Sequence, residues 1–304
     1  MAEELQHNMK NILITGATGM IGSSIAADLE SIGYQVYPLV RNSSEGSHYY
    51  LQESDFIYLD PTIPLHGVIN LAGQNISDKR WTEKTKQQIV DSRVKLTRTL
   101  SEAITQLPAK PEVFLSASAI GYYGTDPDKT FDESSPAGTD FLAKLSVDWE
   151  AATKPAQSAG IRTVLLRFSL VLDPDGGVLK NLVLPMRLAS VGPIGSGKQT
   201  MSWIALSDAL RILLRLLENE KFSGPLNVVS TQSVSNREFG EALAKSLGSI
   251  SLPRIPSAIV RLMFGEMADA ALLPSANIKS TRMQELDIQL EHEQILPALE
   301  SMYR

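Results

Sequence analysis

Three observations predict an α/β fold built on a doubly wound parallel sheet. Short apolar runs alternate with segments of helical period. A glycine triplet separates the first run from the first helix, and later runs end in small or hydroxyl-bearing residues, where open sheets of this kind bind ligands. At 304 residues the chain exceeds the usual single-domain size, so a two-part architecture is expected.

Composition narrows the classes. Hydrophobic residues make up 43% and charged residues 20%, the balance of a globular protein. The net charge of −6 and the lack of a Lys/Arg run argue against nucleic acid as the main partner. No cysteine is present, which removes disulfides, thiolate zinc sites and cysteine nucleophiles. His7, His48, His66 and His292 are scattered without carboxylates at ligand spacing, so no metal site is expected. The first ten residues are polar with no apolar core, and no later stretch has 18 uninterrupted apolar residues. A cytoplasmic protein without a membrane partner is the expectation.

The first element carries the strongest signal. Ile12–Ile14 is long enough for a buried strand, and glycine follows at 16, 19 and 22, with Thr18, Met20 and Ile21 between. Such a turn gathers backbone N–H groups and the positive end of a helix at one point, with no side chain in the way, which is what a pyrophosphate needs. The spacing Gly-x-x-Gly-x-x-Gly enters the helix one residue later than the commoner Gly-x-Gly-x-x-Gly, and an ordinary strand-to-helix turn is the plain alternative. Ile21, Ile25, Leu29 and Ile32 then mark one helix face, stopped by Gly33.

Residues 35–40 read as a second strand, whose end discriminates between cofactors. A carboxylate there suits a ribose 2′-OH and a cation suits a 2′-phosphate. Arg41 stands there, followed by Asn42, Ser43 and Ser44, which favours NADP(H) over NAD; a solvated strand-end charge is the alternative. A third strand, 56–59, ends at Asp60, and a fourth, 67–73, ends at Leu71, Ala72 and Gly73; all four end residues are assigned to the cofactor. A helix is predicted from Thr82 to Leu107, with Pro108 and Pro111 beyond it. Arg80 and Trp81 precede it, either as an aromatic staple with a surface arginine or as ligand contacts. The next strand, 112–116, runs into Ala-Ser-Ala-Ile-Gly-Tyr-Tyr-Gly at 117–124.

Here a resemblance becomes specific. Gly16–Gly22, Asn70–Gly73 and Ser116–Gly124 together resemble the extended short-chain dehydrogenase/reductase superfamily. Arg80-Trp81, Ser92-Arg93, the strand 162–172 with Asp173–Gly177, Gly192–Gly197, Ser202–Ile204 and Asp208 resemble its atypical epimerase family, over a match from Asn11 to the C-terminus. The resemblance implies a Rossmann-like domain, 9–172 plus 206–230, and a smaller substrate-covering part, 173–205 plus 231–304. It places Arg80, Trp81, Arg167 and Trp203 on the substrate side. It also raises a homodimer packed through the long segments 82–107 and 141–158, which no stretch in them decides.

Catalysis in that superfamily uses a tyrosine acid, a lysine four residues later and a serine that orients the carbonyl. Lys144 matches the lysine, for catalysis and for cofactor ribose, and Ser118 matches the serine. The tyrosine position holds Asp140, so Tyr122 and Tyr123 are the substitute candidates, with packing as their alternative. Two further patterns have bland readings. Gly192–Lys198 imitates a phosphate loop but is followed by Gln199. Residues 206–217 carry an apolar helical stripe suited to burial on a sheet. Residues 224–230 read as a last strand, and Ser235 with Glu238 as a capping box opening a helix. The expectation is an NADP(H)-binding oxidoreductase or epimerase-like enzyme of a small molecule; a non-catalytic dinucleotide-binding sensor is the alternative.

Overall fold

The computed structural model describes residues 10–41, 48–52, 56–189, 192–250 and 254–303. Strand β1 (Asn11–Thr15) leads through helix α1 (Met20–Ser31) to β2 (Gln35–Pro38). A ribbon, β3 (Tyr49–Gln52) and β4 (Phe56–Leu59), precedes β5 (Gly67–Asn70). Helices α2 (Glu83–Val90) and α3 (Leu96–Thr105) follow, then β6 (Val113–Ala119), the short β7 (Thr130–Phe131), α4 (Phe141–Ala151) and α5 (Lys154–Ser158). Strands β8 (Arg162–Phe168) and β9 (Leu170–Asp173) lead to α6 (Gly177–Ala189), β10 (Thr200–Met201), β11 (Trp203–Ala205) and α7 (Leu206–Glu218). The chain closes with β12 (Gly224–Val228), β13 (Val234–Ser235), α8 (Asn236–Ser246), α9 (Ser257–Phe264), β14 (Asn277–Ile278) and α10 (Ile295–Tyr303).

Six strands form one parallel sheet in the order β12-β8-β6-β5-β1-β2. Chain order reverses beside β1, which is flanked by β2 on one side and β5 on the other, so the crevice above β1 and β5 is the switch point where such sheets take ligands. Both faces are covered. Ile12, Ile14, Ile69 and Leu115 pack with Ile25 and Leu29 of α1 and with the Leu213 and Leu216 stripe of α7. Their neighbours in sequence, Leu13, Val68 and Phe114, point the other way, onto Leu100 and Ile104 of α3. Alternation between two buried faces explains why these strands read as continuous apolar runs. This is a doubly wound, Rossmann-like sheet.

Several elements depart from the sequence reading for physical reasons. Residues 56–59 do not join the main sheet; they pair antiparallel with Tyr49–Gln52. The segment 82–107 is helical but not uniform, since Asp91–Lys95 forms a π turn between α2 and α3. The apolar run 162–172 divides at Ser169, whose N–H and hydroxyl both donate to the Val228 carbonyl. Beyond it, β9 leaves the sheet and pairs with β11. The long segment 141–158 likewise divides, into α4 and α5.

A further apolar cluster joins Leu172, Leu179 and Trp203 to Phe239 and Leu243 of α8 and Leu299 of α10. Helix α8 starts with the full capping box, Ser235 accepting from Glu238 N and Glu238 accepting from Ser235 N. The glycine loop 192–198 spends its N–H groups internally, Gly195 on Ile255 O, Gly197 on Ile194 O and Lys198 on Ser196 Oγ, and leads into a strand. It is no phosphate cradle. Among the described residues no helix is long and apolar enough to cross a membrane.

Candidate functional site

The glycine turn sits at the switch point and is shaped by contact distances. Gly16 has φ +69°, and a Cβ there would lie 2.8 Å from the Leu71 carbonyl oxygen, so the turn presses directly on the end of β5. A Cβ on Gly22 would stand 2.1 Å from Gly16 O, which lets only glycine bring α1 this close to the turn. Gly19 caps α1 without a side-chain hydrogen bond, and no acidic residue occupies the first turn. Among the described residues no side chain accepts from the first N–H groups of α1, and the exposed Thr18 and Gly19 border them. Met20 packs toward the loop after β9, where a Cβ on Gly176 would be 2.6 Å from the Met20 sulfur. Ile21 packs on the core beneath. These residues fit a dinucleotide pyrophosphate: a cradle without Cβ atoms at an uncapped helix.

A buried polar chain fixes the neighbouring strand end. The Thr15 hydroxyl donates to Asn70 Oδ1 at 2.7 Å and accepts the Leu71 and Ala72 N–H groups, each at 3.1 Å. Asn70 Nδ2 donates to Thr97 Oγ1, which also accepts from Trp149 Nε1. Leu71, Ala72 and Gly73 are thus held at a set height above the sheet, and Gly73 lies against the Arg93 guanidinium. Arg41 is exposed just past β2, at the same edge of the sheet; Asn42, Ser43 and Ser44 lie outside the described residues. Asp60 is engaged locally. It accepts from Thr62 N and Oγ1 and meets His48 Nδ1, and the Thr62 hydroxyl bond first of all holds its carboxyl below the usual range.

At the end of β6 the structure places the expected catalytic residues in different surroundings. Ser118 lies inside the strand, not in a loop, is 3% exposed, and donates its hydroxyl proton to Glu150 Oε1 at 2.8 Å. Glu150 in turn forms a bidentate pair with Arg167, Nε at 2.7 Å and Nη2 at 2.8 Å. Arg167 Nη1 donates to the Tyr123 hydroxyl, which donates to Asn227 Oδ1 at 2.7 Å. Burial pushes the Tyr123 phenol up to about 12, against the lowering effect of Arg167. Burial alone would pull the Arg167 guanidinium down, but the Glu150 hydrogen bond and charge hold it above its ordinary value. Tyr123 is therefore a member of a closed buried network and has no free proton to offer a ligand. Arg167, expected on the substrate side, belongs to the same network.

Tyr122 differs. It is half-buried, its ring lies 3.5 Å from the Arg167 guanidinium, and its hydroxyl makes no hydrogen bond to a described residue. Asp140, at the missing tyrosine position, caps α4 by accepting from Ala143 N at 2.9 Å. Lys144 projects from the exposed face one turn on. Of the other substrate-side candidates, Trp81 is 6% exposed, donates to Ile76 O and meets Phe141 edge-on. Arg80 is exposed against Gly265. Trp203 is fully buried in the cluster of α8 and α10 and presents no surface to a ligand.

Glu150, Asn227 and Glu133 were not singled out in the sequence. Glu133 accepts from Asn227 N, Ser280 Oγ, and the N–H and hydroxyl of Thr281. The partners of Glu133 lie 94 to 148 residues away, and no local pattern marks such pairs. The Ser92-Arg93 pair carries no role in the sequence reading for Arg93; an arginine in an otherwise apolar helix face is the available signal.

The family model described as NAD dependent epimerase/dehydratase family matches residues 12–229. Epimerase family protein MT2273 of Mycobacterium tuberculosis is 38% identical over 294 residues, 95% of this chain and 96% of that one. The human epimerase family protein SDR39U1 is 32% identical over 295 residues, 96% of this chain and 99% of its own. The crystal structure of human SDR39U1 isoform 2 with NADPH matches with a TM-score of 0.88 at 31% identity, covering 96% of this chain and 99% of that one. With a glycine cradle at the switch point, a family model over most of the sheet and relatives aligned nearly end to end, this chain belongs to the NAD dependent epimerase/dehydratase family.

Proposed function

We propose that the protein is an NADP(H)-binding oxidoreductase or epimerase-like enzyme of a small molecule, working without the usual tyrosine acid. The observation that carries the cofactor is the uncapped amino end of α1, closed from below by Gly16 and Gly22. Arg41 at the same sheet edge suits a 2′-phosphate, and the human relative crystallised with NADPH supports the same choice. Bound there, the nicotinamide supplies or takes a hydride. Lys144 binds ribose hydroxyls, a role that needs no tyrosine partner. Tyr122 is the hydroxyl at the β6 end left to meet a substrate, with the Ser118–Glu150–Arg167 network bracing the wall behind it.

Fluorescence titration with NADPH and NADH tests the cofactor. Preference for NADPH that Arg41→Ala abolishes supports the reading; failure of both nucleotides to bind overturns it. A second reading, a dinucleotide-binding sensor without chemistry, is favoured by Asp140 serving as a cap and Ser118 spending its proton on Glu150. Transfer of labelled hydride from NADPH to any metabolite would rule that reading out. Full turnover in Lys144→Ala on such a substrate would remove Lys144 from its assigned role.

A further inference from the structure

A guanidinium that meets no carboxylate among the described residues stands beside the cleft. Arg93 lies flat over Gly73, where a Cβ would meet Cζ at 3.0 Å, Nη2 at 3.1 Å and Nε at 3.3 Å. The Trp149 ring flanks it, with 5.2 Å from Cζ to the ring centroid. Its polar contacts are long and come from one nitrogen: Nη1 reaches Ile89 O at 3.3 Å and Ser92 Oγ at 3.4 Å. Nε and Nη2 have no acceptor among the described residues. Arg167, Arg211, Arg261 and Arg282 each pair with a carboxylate. Arg93 pairs with none among the described residues, and burial draws its pKa down to about 10. A cation in such a position is costly unless something answers its charge.

The backbone holds it in place. Arg93 is the middle residue of the π turn Asp91–Lys95, and Gln74 N donates to Ser92 Oγ at 3.0 Å, tying that turn to the loop after β5. Widened turns of this kind collect at functional sites.

We infer that Arg93 is an anion receptor of the cleft, taking a pair of phosphate or carboxylate oxygens from the bound ligand through Nε and Nη2. The inference rests on the cofactor reading for the position of the cleft. Two sources present that chemistry: the pyrophosphate of the dinucleotide and an acidic group on the substrate.

The test compares wild type, Arg93→Gln and Arg93→Lys, each checked for fold by circular dichroism. Each is titrated with NADPH, with inorganic pyrophosphate alone, and with oxalate after saturation with NADPH. A tenfold or greater loss of NADPH and pyrophosphate affinity in Arg93→Gln assigns the receptor to the cofactor. Unchanged NADPH affinity with oxalate binding lost assigns it to a substrate acid. Arg93→Lys keeps the charge without the fork and falls between; it carries the test if Arg93→Gln does not fold. Folded variants that match wild type towards all three probes overturn the inference and leave the cofactor reading intact. Arg93-dependent pyrophosphate binding in a protein that takes no NADPH does the reverse.

Discussion

Glu150 shows how one side chain settles the roles of three others. It fixes the Arg167 fork, takes the Ser118 proton, and through Arg167 orders Tyr123. Glu150→Gln leaves a buried guanidinium unpaired and should lower stability by about 3–5 kcal/mol, read by urea denaturation at pH 7. Replacing both partners, Glu150→Leu with Arg167→Met, should recover most of that loss, because neither charge is then stranded. Glu133 adds a pH signature. Burial opposes its charge, but hydrogen bonds from Ser280, Thr281 and Asn227 prevail and hold its pKa below the ordinary 4.5. Its ionised form is thus favoured by folding, so its contribution is complete above pH 4.5 and fades as the pH falls through the lower folded value. Glu133→Gln should therefore be less stable than wild type at pH 7, with the gap narrowing as the pH falls below 4.5 in parallel urea melts. None of this was legible in the sequence. The sequence places Ser118 and Tyr123 near the end of β6, the fourth strand of the main sheet in chain order, but a hydroxyl's partner is set by residues brought together only by the fold.

Elements were easier to read than contacts. The glycine spacing, the helix period of α1, the stripe of α7 and the capping box of α8 are local patterns, and each stands where the sequence put it. Misreadings came where tertiary pairing overrode a local signal. Phe56–Leu59 has strand propensity, but the propensity does not say which partner it pairs with; Tyr49–Gln52 takes it. The run through 162–172 carries no breaker, yet Ser169 turns both its polar groups on Val228 O and ends the strand. The glycine turn is the element with the sharpest expected outcome. Gly22→Ala sets a methyl group 2.1 Å from a backbone oxygen that has nowhere to go. It should separate α1 from the turn, costing about 1–3 kcal/mol of stability and most of the NADPH affinity, measured by thermal melts and titration.

At the scale of the whole molecule, the C-terminal segment is stitched back to the sheet. Asn277–Ile278 pairs with Thr130–Phe131, and the Lys279 carbonyl accepts from Asn227 at the edge strand β12. Ligand binding at the glycine turn should therefore stabilise the protein well beyond the turn. NADPH at a hundred times its dissociation constant should add about 2.7 kcal/mol, visible as a rise in melting temperature that Arg41→Ala diminishes.

The contact between Met20 and Gly176 should make the cofactor turn sensitive to oxidants. The Met20 thioether is half-buried, and its sulfur fills the space where a Cβ on Gly176 would sit, at 2.6 Å. Conversion to the sulfoxide adds a polar oxygen to a sulfur packed this tightly, and the oxygen must push the loop after β9 off the turn. Mild peroxide treatment should therefore weaken NADPH binding in the wild type and spare Met20→Leu, while methionine sulfoxide reductases should restore it.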